Sequence, residues 1–328
     1  IEAADTETED QTEQVQRTII LSAFTYQNDE REWLGESGPF LNNLEGWNEV
    51  DVTFCDQVVE GTLYDLPVSV VTMGAGKVEA RGCMDSLLVH YDGTKGMKEV
   101  IWSGISGFSP RVGGVHSNGT PTVIGDVCVS YMAVDWDLQH SSMSNSRPDQ
   151  WWLMDWENEH RVTVGHEELA SELWNASQYV EWPSLEGGPR ENTIKYHGEE
   201  NLRKPKAFHW SMCSEATGDN FWHSIQEDAR ARELVANTIS STTESATSAS
   251  EVIAVTAMEQ TGWMSALVEW NNTMEENIPM AYTRSSSNYD HPWLDAEGEP
   301  AVDPATSISA GMDAGGSTIG SVTASLPV

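Results

Sequence analysis

Six short apolar runs with no strict polar alternation, set apart by segments of helical period, most constrain this chain. The runs are Thr18 to Phe24, Pro67 to Met73, Val100 to Ile105, Thr122 to Val129, Glu251 to Thr256 and Ile278 to Thr283. Strands that are apolar on both sides must be covered on both sides, which calls for a mostly parallel or mixed sheet between helices. Helical faces are supplied by Val78, Met84, Leu87 and Leu88, by Leu169, Leu173 and Trp174, and by Met264, Leu267 and Val268. The expected fold is a three-layer α/β/α sandwich with a central mixed β-sheet. Residues 1–16 read as a flexible acidic arm, 17–300 as one domain and 301–328 as a Gly/Ser/Ala-rich tail.

The formal charge of −35 over 328 residues narrows the partners. A nucleic-acid surface needs clustered Lys and Arg, and this chain has neither the number nor the clustering, so no nucleic-acid partner is expected. No apolar run approaches the ~18 residues of a membrane span. The carboxylates are spread along the chain like the solvated coat of a protein in salty water. The first residue, Ile1, fits a removed leader, so a secreted, periplasmic or cell-surface location is expected. Cys55, Cys83, Cys128 and Cys213 show no metal-ligand spacing, so no metal site is expected. Free thiols and one disulfide both stand open, with three pairings possible.

In open α/β sheets ligands bind beyond the carboxyl ends of strands, which gives the post-strand residues their weight. Met73 to Lys77 passes through two glycines into a helix, a turn that suits close approach to a ligand, although a plain strand-to-helix turn is the more common use. Ser103 to Phe108 ends a strand in small residues. Thr217 to Trp222 offers Asp219 as a helix cap and Phe221 and Trp222 as cover for a flat ring. Met258 and Glu259 follow one strand, and Arg284 to Asp290 are expected to follow the last. Together these bring an amide and two carboxylates to one sheet edge, as a polar small-molecule pocket requires. His140, His209 and His223 read as structural, and the Trp151-Trp152 pair as a lid, an interface or core.

These motifs, in this order, resemble the nucleoside phosphorylase and nucleosidase superfamily, and Cys213 to Trp222 with Arg284 to Pro292 is similar to its purine nucleoside permease (NUP) branch. The resemblance implies a homo-oligomer, dimer or trimer, that binds a purine nucleoside without a cofactor, with phosphate as the possible co-substrate. Glu259 would hold ribose hydroxyls and Met258 pack on the sugar. Phe221 and Trp222 would cover the base, Ser106 and Gly107 line the pocket, and Ser287 and Asn288 address the purine edge. Related nucleosidases carry Asp where Asn288 stands, which makes Asp290 the substitute acid. The arginines with which phosphorylases hold phosphate are missing beside the first strand and before Ser103, so water activated near Gln27 or Asp29 is favoured, with Arg284 or Arg31 the alternative source of charge for phosphate. The expected activity is cleavage of the N-glycosidic bond by hydrolysis. A nucleoside-binding protein serving uptake, or a storage or structural protein on the same fold, is the alternative.

Overall fold

The computed structural model describes residues 15–27, 32–112, 119–138, 140–141, 151–152, 162–219 and 223–302, together with Gly320, Val322, Ser325 and Val328. The chain opens with β1 (Arg17–Ser22), a small ribbon of β2 (Thr25–Gln27) and β3 (Trp33–Gly35), and the single turn α1 (Gly38–Leu41). An antiparallel meander follows, β4 (Glu45–Val50), β5 (Gln57–Leu63) and β6 (Leu66–Thr72), then α2 (Lys77–His90) and the long β7 (Met97–Phe108). Next come β8 (Val127–Ser130), β9 (Met132–Asp135), the ribbon β10 (His140–Ser141) with β11 (Trp151–Trp152), β12 (Val162–Val164), α3 (Glu167–Ser177) and α4 (Gly187–His197). The chain continues through β13 (Ala207–Phe208), β14 (Cys213–Thr217), α5 (Ile225–Thr243), β15 (Ile253–Ala257), α6 (Gln260–Met274) and β16 (Met280–Tyr289).

The main sheet runs β12-β9-β14-β15-β7-β1-β6-β5-β4, with β16 laid between β7 and β8 and β13 beside β8. It is mixed: β1 is parallel to β6 and β7, β14 to β9 and β15, and β16 to β7. The β4-β5-β6 meander and the β16-β8 pair are antiparallel.

The hydrophobic pattern explains the layering. In β1 the side chains alternate between faces, so Ile19 and Leu21 meet one core and Ile20 another. The first core holds Met84, Leu87 and Leu88 of α2 with Trp263, Met264 and Leu267 of α6. On the far side Leu169, Ala170 and Leu173 of α3 and Leu234, Val235 and Ile239 of α5 cover β8, β9 and β14. Each fully buried large apolar side chain of this kind contributes about 1.5–3 kcal/mol. The sheet between two helical layers is the sandwich expected.

Several local expectations change. Val78 is exposed and takes no part in the α2 face. Only residues 127–129 of the Thr122 run are strand, because Asp126 ends a turn there: it accepts from Val123 N and Lys206 N and holds Arg203 through both oxygens. The last strand extends through the segment expected to follow it, since Arg284 to Tyr289 are buried, Arg284 and Ser285 pair with both β7 and β8, and Ser286, Asn288 and Tyr289 carry on the β7 ladder past a bulge at Ser287. The side chains of Trp151 and Trp152 lie outside the described residues.

All four cysteines are paired, Cys55 with Cys83 and Cys128 with Cys213, which settles the open question as two disulfides. Cys55–Cys83 ties α2 to the loop before β5, and Cys128–Cys213 joins β8 to β14. The second spans 85 residues against 28 for the first, so it removes more freedom from the unfolded chain. Replacing Cys128 and Cys213 together with alanine is expected to cost about 2–5 kcal/mol in urea unfolding. A smaller loss than that of the Cys55/Cys83 pair would contradict this ranking.

Candidate active site

Residues of β7, β14 and β16, with the turns after β1 and β15, meet around one guanidinium. Arg284, in the middle of β16, is 1% exposed and is ringed by three carboxylates. Its Nε donates to Glu215 Oε2 at 2.8 Å and its Nη2 to Glu259 Oε2 at 2.8 Å, while Nη1 donates to Ile105 O at 3.1 Å and lies 3.9 Å from Glu36 Oε1. The guanidinium also sits over the Trp102 ring, 4.6 Å from its centroid. Gly104 is demanded by this packing, because a Cβ there would stand 2.7 Å from Glu36 Oε1 and 2.9 Å from Arg284 Nη1.

Each acid is fixed by a different element. Glu36, just before α1, accepts from Ala23 N at 2.6 Å and from Ile105 N at 2.7 Å, joining the ends of β1 and β7. Glu215, inside β14, accepts from Thr217 Oγ1 at 2.8 Å. Glu259 takes the N-cap position of α6 but turns its side chain inward, accepting from Gly76 N at 3.4 Å. The glycine turn therefore serves the site: Gly74 and Gly76 have φ of 86° and 104°, where L residues are strained. Asp219 holds the same turn by accepting from Lys77 N at 2.9 Å, so it caps α2 and not the helix that follows it in sequence.

Three carboxylates facing one cation leave the buried cluster short of positive charge. Burial raises the Glu36 pKa from its ordinary value to about 7; Arg284 opposes the rise and Glu259 adds to it. Burial likewise raises Glu215, again against the pull of Arg284. Burial works against the charge on Arg284, but Glu215, Glu259 and Glu36 hold its pKa above the usual arginine range. The arrangement is thus a fixed cation shared by three acids, one of which, Glu36, titrates at about 7.

The residues expected from the sequence fall into three groups. Ser106, Gly107, Met258, Glu259, Arg284, Ser287, Asn288 and Asp290 are brought to this sheet edge. Ser106 Oγ donates to Ser285 O at 3.3 Å, and Ser287 Oγ reaches Ser106 O at 3.2 Å. Arg284 belongs to the carboxylate cluster, so it is not open to an anion. Asp29, Phe221 and Trp222 lie outside the described residues, and Gln27 is exposed at the end of β2. His209 is structural as expected, stacked on Trp210 and bonded to Ser211.

Sequence reasoning missed Glu36 and Glu215. A glutamate between two glycines, as in Gly35-Glu36-Ser37-Gly38, was the only signal for the first. A groove of about 800 Å³ among the described residues lies against β1 and β6, lined by Thr18, Ile20 and Val68. Ile20, Trp33, Phe40 and Leu63 form apolar parts of its walls, and Lys98 and Glu99 stand at its lining as an ion pair.

The sequence profile of the purine nucleoside permease (NUP) family matches residues 16–323. The chain belongs to that family. No curated protein matches it. Among solved structures, this NUP-family chain is 14% identical to the 5′-methylthioadenosine/S-adenosylhomocysteine nucleosidase of Neisseria meningitidis, with a TM-score of 0.50 over 94% of this chain and 99% of the other. Futalosine hydrolase of Helicobacter pylori strain 26695 gives 15% identity and a TM-score of 0.52, covering 95% and 97%. The 5′-methylthioadenosine/S-adenosylhomocysteine nucleosidase of Colwellia psychrerythraea 34H, solved with adenine, gives 15% and 0.51, covering 95% of each chain. At these identities the likeness establishes the nucleosidase-type fold of the NUP-family chain. No helix among the described residues is long and apolar enough to cross a membrane.

Proposed function

We propose that the protein hydrolyses the N-glycosidic bond of purine nucleosides. The observation that carries this reading is the Glu36–Arg284–Glu259 arrangement at the strand ends. Glu259 accepts the ribose hydroxyls, and its anionic charge favours the oxocarbenium-like sugar that forms as the base departs. Glu36, close to half-ionised at neutral pH, takes a proton from the water that attacks C1′. Arg284 holds both acids in place. No cofactor is needed for these steps.

Water is favoured over phosphate on electrostatic grounds. Phosphate entering this cluster meets three carboxylates, and the one central cation is already committed to them. The neighbouring folds are nucleosidases and a hydrolase by name, which agrees with this choice. Incubation with inosine, guanosine and adenosine, with and without phosphate, tests it by chromatography of the free base. Release at the same rate in both conditions is expected; release only with phosphate would establish phosphorolysis, and none would overturn the enzyme reading.

Asn288 favours a second reading, a nucleoside-binding protein serving uptake, since an amide is no acid. Calorimetry with the nucleoside recovered intact would support it. A secreted, periplasmic or cell-surface location belongs to the proposal, supported by the two disulfides, which persist in oxidising compartments. So does a homo-oligomer, dimer or trimer, which sedimentation checks.

A further inference from the structure

Two stretches of this chain keep opposite charges apart. Residues 32–76 hold eight acids, from Glu32 to Asp65, and no lysine or arginine, whereas residues 201–214 hold Arg203, Lys204 and Lys206 and no acid. In a chain of −35 the second stretch is the exception. The fold puts the two at the ends of one ladder. From β7 the strands run through β1, β6 and β5 to β4 in one direction, and through β16 and β8 to β13 in the other. Among the described residues β4 pairs with β5 alone and β13 with β8 alone, so both are edges.

Along the acidic edge, Glu45 to Glu49 are all exposed, and Trp47, inside the bulge between Glu45 and Asn48, is 54% exposed. A bulged edge flanked by charge resists strand pairing, so a partner meets its side chains. Along the basic edge, Arg203 is held by Asp126 and donates through Nη2 to Pro121 O at 3.0 Å, and Arg111 forms a backbone bridge with the same Pro121. Lys204 and Lys206 are exposed, with Lys206 Nζ 4.6 Å from the centre of the Phe208 ring. Arg111, Lys204 and Lys206 have no carboxylate partner among the described residues, whereas Arg17, Lys77, Arg81, Lys95, Lys98 and Arg190 each have one. Partial burial first, and Arg203 second, lower the Lys206 pKa against the pull of Asp126, as expected where positive charge crowds.

Cations left over in so acidic a protein call for an acidic partner, and the opposite edge of the same chain is one. We propose that the protein assembles head to tail, the β13 edge of one copy, with Arg111, Lys204 and Lys206, docking on the β4 edge of the next, with Glu45, Trp47 and Glu49. This deepens the homo-oligomer reading above and is independent of the chemistry. Trp47 is the anchor: its indole takes a lysine ammonium over its face while Glu45 and Glu49 meet the other cations. A copy docked by one edge leaves its other edge open, so the assembly closes as a ring of three or more copies and not as a two-fold dimer.

Salt acts on this contact in two directions. Copies of charge −35 repel at long range, while the docked edges attract at contact. The screening length falls from about 30 Å at ~0.01 M salt to about 8 Å at ~0.15 M, which mutes the repulsion and spares the contact, and to about 3 Å at ~1 M, which weakens the contact too. Association is therefore strongest at the middle concentration.

Sedimentation velocity of the full chain at these three salt concentrations tests this, with the fastest boundary expected at the middle one. Lys204→Glu with Lys206→Glu in one variant, and Glu45→Lys with Glu49→Lys in another, should each raise the dissociation constant at least about 100-fold, because like charges then face each other. All four side chains are exposed, so both variants should unfold near the parental Tm. Mixed one to one, the two variants should associate again, since each supplies the edge the other lacks, a recovery that damaged folding cannot imitate. A mixture as monomeric as its parts overturns the proposal. An oligomer that neither variant nor high salt loosens overturns it too, while leaving the homo-oligomer in place, and a protein monomeric at every salt concentration overturns both. A monomer that binds added polyphosphate through Lys204 and Lys206 overturns it in favour of an anionic ligand.

Discussion

Replacing Glu36 with glutamine is expected to reduce base release about 10²- to 10⁴-fold with little change in KM, because the amide keeps the size and one acceptor but cannot take a proton. The pH dependence supplies the second readout. The Glu36 pKa stands at about 7 against an ordinary 4.5, so the reactive carboxylate accumulates as pH rises through neutrality and kcat should rise with it. Stability runs the other way. A pKa raised on folding contributes stability that is full below the unfolded value and is lost as pH climbs through the folded one. Between pH 4.5 and about 7 the protein should lose on the order of 3 kcal/mol from this group. Glu36→Gln should flatten both profiles. A variant retaining full kcat with the parental pH profile would remove Glu36 from the chemistry.

Arg284→Met is expected to have the largest effect on folding, because three buried carboxylates lose their counter-charge at once. Breaking a buried pair from one side costs about 3–5 kcal/mol, and here two 2.8 Å bonds and one longer contact go together. Thermal unfolding should therefore show a drop in Tm of more than 5 °C, steepest at high pH, where all three acids are ionised. Partial recovery in acid is the signature that separates lost charge pairing from lost packing. Arg284→Lys should rescue little, since an ammonium lacks the fork that serves Glu215 and Glu259 from separate nitrogens. An Arg284→Met protein as stable as the parent would show that the cluster does not hold the sheet edge together.

The layered fold was legible because both-sided burial leaves a direct trace in composition: β1, β6 and β15 read as apolar runs, and each is a strand. The extent of β16 was not, since Ser285, Ser286 and Ser287 look like loop residues and become strand through the β7 ladder that Ser285 and Ser286 join, with β8 pairing Ser285 from the other side. Glu259 was legible from its place after a strand. Glu36 and Glu215 were not, because an isolated glutamate reads as solvent-facing until its partner is known, and that partner lies 248 and 69 positions further along the sequence. Asp290 was legible as an acid, but the commitment of Asn288 to Tyr289 O and Ser287 Oγ depends on side-chain geometry that no spacing encodes.

The position of β16 bears on how the molecule comes into being. It is the last strand among the described residues and yet sits inside the sheet, between β7 and β8, carrying the cation that faces the three acids. During synthesis Glu36, Glu215 and Glu259 all emerge before Arg284, so a nascent chain holds three acids with nothing to neutralise them and an open slot beside β7. Closure of the slot and pairing of the acids become a single late event, and a chain stopped short of residue 284 should stay open to proteases and chaperones.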